Sequence, residues 1–139
     1  MKLVVDANVL FSLLIKESKT AELFLNFSLE LYTPEFVLEE FENHKEEILG
    51  KTQRSEEEFN YIFESIKQIV KVVHIQDFKY YRDYFEEAKK ISPDENDIDY
   101  FVLALKLDCG IWSNDKKLKE QNFVEVYSTE EIIRRLETK

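Results

Sequence analysis

Four carboxylates stand where acidic side chains from distant parts of one chain could meet: Asp6, Glu40, Asp97 and Asp115. Asp6 follows directly on the apolar run Lys2 to Val5, and Asp115 lies two residues past the run Ile111 to Ser113. In a parallel α/β sheet, ligands gather beyond the carboxyl ends of the strands, so both acids should point to one edge. Asp97 falls in the first turn of an apolar helix whose N-terminus could face the same edge. Three carboxylates converging there repel one another unless a cation intervenes. Oxygen donors without a cysteine or histidine cluster suit a hard ion, Mg²⁺ or Mn²⁺. The chemistry such an ion serves is hydrolysis of a phosphodiester by an activated water.

Helical geometry selects the fourth acid. In a helix over 35–49, Val37, Phe41, His44 and Ile48 form an apolar stripe. At about 100° per residue, Glu39 lies on the far side, whereas Glu40 borders the stripe between Phe36 and His44. A side chain that reaches a site should emerge at that margin, which favours Glu40. Each acid also has a plain structural reading. Asp6 could cap a helix or form a turn, Asp97 could favour its helix dipole as Asp94 and Glu95 do, Asp115 could cap the helix after it, and Glu40 could be a solvated face residue. What points to chemistry is the set, in this order and on these elements.

The elements that must position these residues follow from pattern. Lys2 to Val5 reads as a buried strand and Asn8 to Ile15 as a helix. Lys19 to Phe27 gives a second helix, with Ala21, Leu23, Phe24 and Phe27 as its apolar positions. Leu29 to Thr33 is a strand ended by Pro34, which favours the first turn of the 35–49 helix. Ser55 with Glu58 matches a capping box ahead of Phe59, Ile62, Phe63 and Ile66, so a helix runs from Ser55 to about Val70. Val72 to Ile75 is a strand, Phe78 to Lys90 a helix, and Ser92-Pro93 a turn. Asp94 to Leu107 is helical and apolar on nearly every side, as a central buried helix is. Ile111 to Ser113 and Phe123 to Tyr127 are strands, Asp115 to Glu120 a short helix, and Thr129 to Leu136 the last helix. Strands separated by helices predict an α/β fold with right-handed crossovers. The expected architecture is a three-layer α/β/α sandwich around a mainly parallel sheet of four to five short strands, in one domain over 1–139.

Composition sets limits on partners. The net charge is −10, from 19 Lys and Arg against 29 Asp and Glu. That balance argues against a simple nucleic-acid binder with a basic footprint. Bound cations change the sum locally, because the metal becomes the largest positive charge in its site. One cysteine, Cys109, excludes an internal disulfide and a thiolate metal cluster. No apolar run approaches membrane-spanning length, so no membrane partner is expected and a soluble, cytoplasmic protein is. His44 and His74 read as packing histidines. Lys116, Lys117 and Lys119 read as a solvated helix face, and Phe78, Tyr80, Tyr81, Tyr84 and Phe85 as core or an oligomer surface.

Several segments resemble the motifs of PIN domains. VVDANVL at 4–10 looks like their opening motif, a strand, an Asp and a small polar residue two positions on, here Asn8. PEFVLEEF at 34–41 is similar to the second, in which an acid precedes a large apolar residue and which again selects Glu40. DIDYFVLALKLDCGIWSNDKKL at 97–118 resembles the third and fourth together, ending in an S/T-N-D pattern. The resemblance implies that Asp6, Glu40, Asp97 and Asp115 are the family's four acids. It also implies that Asn8 and Ser113 or Asn114 are supporting polar groups that orient them. Asp99 is an extra acid with no matching role, on another helix face. PIN domains typically cut single-stranded RNA with Mg²⁺ or Mn²⁺, many as VapC-type toxins held by an antitoxin, and often pair. The resemblance therefore implies RNA, an antitoxin protein and a second copy as partners.

Two other readings compete. Aspartate-based phosphotransfer also places an acid after the first strand of an α/β sheet. It wants a second acid beside it, where this chain has Asn8. A PIN scaffold kept for binding RNA or a partner protein fits the acidic balance, while the complete acid set speaks for catalysis.

Overall fold

The computed structural model describes residues 1–14, 19–75 and 81–138. Five short strands form one sheet: β1 (Lys2–Val5), β2 (Glu30–Pro34), β3 (Lys71–Val73), β4 (Gly110–Trp112) and β5 (Val126–Tyr127). All pairs are parallel, in the order β3-β2-β1-β4-β5. The sheet grows from β1 in both directions, so the chain reverses its lateral course after β3. Right-handed crossovers then require helices on both faces, giving the expected three-layer arrangement. Between β1 and β4 the order switches, which opens a crevice at their carboxyl ends.

Helices α1 (Ala7–Ser12) and α2 (Lys19–Phe24) connect β1 to β2. Helices α3 (Phe36–Asn43), α4 (Lys45–Thr52) and α5 (Glu56–Ile69) connect β2 to β3. Helices α6 (Tyr81–Ile91) and α7 (Ile98–Leu107) return the chain to β4, and α8 (Thr129–Glu137) follows β5. Among the described residues, no helix is long and apolar enough to cross a membrane.

The near-uniform apolar character of α7 is explained by its place. It lies against β1, β2 and β4 and is covered by α6, so Tyr100, Phe101, Val102, Leu103 and Ala104 are all buried. On the other face Phe11, Phe41, Phe59 and Phe63 knit α1, α3 and α5 together, with Phe11–Phe41 centroids 4.6 Å apart and Phe41–Phe63 5.7 Å. Ser55 and Glu58 form the expected capping box at the start of α5. Arg54 donates to the Leu14 carbonyl at 2.8 Å and to Glu58 at 2.8 Å, tying the turn before α5 to the end of α1.

Several boundaries differ from expectation. The 35–49 helix is two helices, broken at His44 (φ −105°, ψ 15°). His44 is exposed and pairs with Glu47 at 3.5 Å, and His74 is exposed and pairs with Glu35 at 2.6 Å. Neither packs in the core; each finds a carboxylate at the surface instead. Pro34 closes β2 opposite Val73 rather than opening a helix, a strand end being where its missing N–H costs least. The stretch before the α7 helix begins as a 3₁₀ turn, Glu95–Asp97, and the short helix after Asp115 is also 3₁₀, Lys116–Lys119. Helix α2 ends at Phe24 and leaves Phe27 fully exposed. The expected helix end at Ile15, and Phe78 and Tyr80 of the aromatic cluster, lie outside the described residues.

Candidate active site

Asp6 sits where β1 turns into α1. The run Leu3-Val4-Val5 is completely buried, and the carboxylate that ends it is itself only 5% exposed. Its Oδ1 accepts the Val9 N–H at 2.9 Å, capping α1. Its other oxygen, Oδ2, accepts a short hydrogen bond from the Ser113 hydroxyl. Ser113 follows β4 directly, so this bond joins the ends of the two strands that flank the switch point. The same Ser113 Oγ accepts the Asp115 N–H at 3.1 Å. One buried hydroxyl thus fixes Asp6 and the backbone of Asp115 together.

Burial pushes the Asp6 carboxyl above its ordinary range; the Ser113 and Val9 hydrogen bonds oppose this, while the nearby Asp115 adds to it. Asp97, where the 3₁₀ turn passes into α7, has no capping hydrogen bond from its side chain. Its carboxyl is pushed up to about 6, by burial first and then by the charges of Asp94, Asp115 and Asp6. Asp6, Asp97 and Asp115 therefore lie within one electrostatic field, although they come from three separate parts of the chain. Asp115 itself is exposed and accepts the Lys117 N–H at 3.0 Å, so it is also the N-cap expected of it.

Glu40 is half-buried on α3 and acts on the Tyr100 hydroxyl together with Asp6 and Asp97. This places it on the inner margin of α3. Asp99 is elsewhere. It accepts a hydrogen bond from the Tyr81 hydroxyl at 3.1 Å and lines a cavity of about 140 Å³ with Glu35, Phe36 and Glu39. Asn8 is exposed in the first turn of α1, and its N–H adds to the donors around Asp6. Asn114 turns away from the acids. Its amide donates to Thr129 Oγ1 at 3.2 Å and its carbonyl accepts the Thr129 N–H at 2.8 Å. Trp112 Nε1 donates to the same hydroxyl at 3.0 Å, so the loop that carries Asp115 is clipped to the start of α8. Of the two alternatives Ser113 and Asn114, it is Ser113 that touches an acid.

Two residues of the site were not anticipated. Tyr100 is buried, and its oxygen accepts the Ala7 N–H at 3.0 Å, one residue past Asp6. Thr33 is buried at the end of β2 and donates to the Val5 carbonyl at 2.9 Å. Both fix the backbone on either side of Asp6. The signal available for Tyr100 was its polar tip in an otherwise apolar helix, since a buried tyrosine hydroxyl needs a partner. Lys117 ion-pairs with Asp94 at 3.0 Å and lowers the pKa of Asp97.

Among the described residues, no three His, Cys, Asp or Glu side chains stand close enough together to hold a metal ion as they are placed. The donor set nevertheless suits a hard divalent cation. It is all oxygen, the charge of Asp115 raises the proton affinity of both Asp6 and Asp97, and such a cluster gains from a cation what it now loses to repulsion.

The whole course of the chain from β1 to α8 can be compared with known proteins. Residues 4–137 match the PIN domain. The chain belongs to the PIN-domain family. PIN domains are generally nucleases that use divalent metals, which accords with an acid cluster at the switch point. No curated protein matches this PIN domain in sequence. In fold it is similar to a chain in the crystal structure of VapBC2 from Rickettsia felis bound to a DNA fragment from their promoter. The TM-score is 0.62 and the identity 14%, over 92% of this chain and 98% of that one. At that identity the likeness is one of fold.

Proposed function

We propose that this PIN domain is a metal-dependent endoribonuclease that hydrolyses phosphodiester bonds of single-stranded RNA. The observation that supports this is the meeting of Asp6 and the Asp115 backbone on one Ser113 hydroxyl at the β1–β4 crevice, with Asp97 near enough for their charges to reach it. Asp6, Asp97 and Asp115 would hold Mg²⁺ or Mn²⁺, and Glu40 would complete the site directly or through water. When bound, the ion supplies a water acidic enough to attack and positive charge against that developing on the phosphoryl oxygens. The chain's own residues set the geometry. Ser113 and the Val9 N–H hold both Asp6 oxygens in place, and the Ala7–Tyr100 bond fixes the turn that carries them. Asp97 lacks a capping hydrogen bond and is held above its usual range by burial and the neighbouring acids, so a cation that offsets those charges would compete with its proton.

The wider reading is that of a toxin restrained by an antitoxin protein and able to pair with itself. It rests on the family's VapC-type members and on the fold shared with the VapBC2 chain. Incubating the protein with single-stranded RNA and Mn²⁺ tests the core of the proposal. Wild type should cut, Asp6→Asn should not while retaining its circular dichroism, and full activity in Asp6→Asn would refute it.

A further inference from the structure

Beside the acid cluster lies a cavity of about 490 Å³ that the chemistry above does not use. Its size is that of an ordinary ligand pocket, roughly 300–1,000 Å³. Its two walls continue elements that carry candidate acids. One wall is α1, which Asp6 caps and whose first turn presents the exposed Asn8 to the cavity. The other is α4, which begins where α3 breaks at His44, one turn after Glu40.

The lining has two characters. The floor is apolar, made by Ile48 and by Phe11, whose ring is backed by Phe41. The rim is polar, with the amide of Asn8, the imidazole of His44 and the hydroxyl of Thr52. A single carboxylate, Glu47, belongs to the lining; Lys51 offsets it at 2.7 Å, and the His44 imidazole lies 3.5 Å from it. The hollow is therefore not part of the acidic field next to it. An aromatic and aliphatic surface edged by hydrogen-bonding groups, its one acid paired with Lys51, suits an unpaired nucleobase, which stacks by its face and hydrogen-bonds by its edge. A compact hollow beginning two residues from Asp6 suits one base next to a held phosphate better than it suits an extended partner segment.

We propose that this cavity receives a base of single-stranded RNA adjoining the phosphodiester at Asp6, and so selects where the strand is cut. The proposal rests on the nuclease reading above.

The test is a binding cycle between protein and substrate variants, using the full chain. A labelled single-stranded oligoribonucleotide is titrated by fluorescence anisotropy into Asp6→Asn protein with Mn²⁺ present. Oligonucleotides lacking the base at one position each are then compared. At one position, loss of the base should weaken binding about 10-fold, within the range of one stacked base. Adding Thr52→Phe, which fills the hollow, or His44→Ala, which strips its rim, should weaken binding of the intact strand by a similar factor. Removal of that same base should then cost nothing further. His44 is exposed, so its variant keeps the test readable even if Thr52→Phe unfolds. If base removal costs as much in both variants as in their parent, or if neither variant weakens binding, the proposal is overturned and a protein segment becomes the better occupant. Should Asp6→Asn still cleave RNA, the acid-cluster reading falls, while the anisotropy cycle, repeated with EDTA in place of Mn²⁺, continues to report on the cavity.

Discussion

Replacing Ser113 by alanine removes one oxygen from the most consequential junction in the site. That hydroxyl donates to Asp6 and accepts the Asp115 N–H, and Ser113 is 1% exposed, so water does not readily take its place. A hydrogen bond to a charged group contributes roughly 1.5–3 kcal/mol, and an amide left without a partner costs about 1–3 kcal/mol when buried. The Asp115 N–H is only partly buried, so the smaller part of its cost applies, and the expected loss is about 2–4 kcal/mol. The loss should depend on pH in a defined direction. Asp6 is already pushed upward by burial, and the Ser113 bond is the largest influence holding it down. Without that bond the ionised form suffers most, so the deficit should shrink as acid protonates Asp6. Urea unfolding of metal-free protein at neutral and at acidic pH reads both quantities. A variant within about 0.5 kcal/mol of wild type at neutral pH, or a deficit that grows in acid, would refute the reasoning.

Tyr100→Phe should lower stability by about 1–3 kcal/mol, because the buried Ala7 N–H loses its acceptor; urea midpoints check this. Asp97 binds a proton more tightly in the folded chain, with its carboxyl raised from 3.8 to about 6. Its contribution to stability is full below the lower value and is lost as pH rises to the upper one. The melting temperature of metal-free wild type relative to Asp97→Asn should therefore fall across that window, and Mn²⁺ at neutral pH should raise the wild type again. Gly110→Ala would bring a Cβ to 2.7 Å from Tyr127 Cε2 and 2.9 Å from the Glu125 carbonyl. The overpacking should cost about 1–3 kcal/mol, read as faster amide exchange along β4 and β5.

Much of the fold was legible because its signals are local. A short apolar run stopped by Asp6, a capping box at Ser55 and a helix apolar on all sides each need little tertiary information. The two strand-end acids were placed for the same reason, since the carboxyl edge of a parallel sheet is a topological property. What escaped was decided by contacts across the chain. The apolar spacing through Val37, Phe41 and Ile48 continues past His44, and only packing against α1 and α5 reveals the break. Asn114 and Ser113 are adjacent and both polar, yet beyond the end of β4 Ser113 bonds to Asp6 and Asn114 to Thr129. Asp99 was separated from Asp97 by helical phase alone, and the Tyr81 bond accords with it.

The clip between Asn114, Trp112 and Thr129 makes the final helix a mechanical support for an acid it does not contain. A proteolytic nick that frees this helix should slacken the segment bearing Asp115 and so lower affinity for a divalent ion with every carboxylate still present. By the same linkage, ion loading should protect the C-terminal part of the chain from digestion.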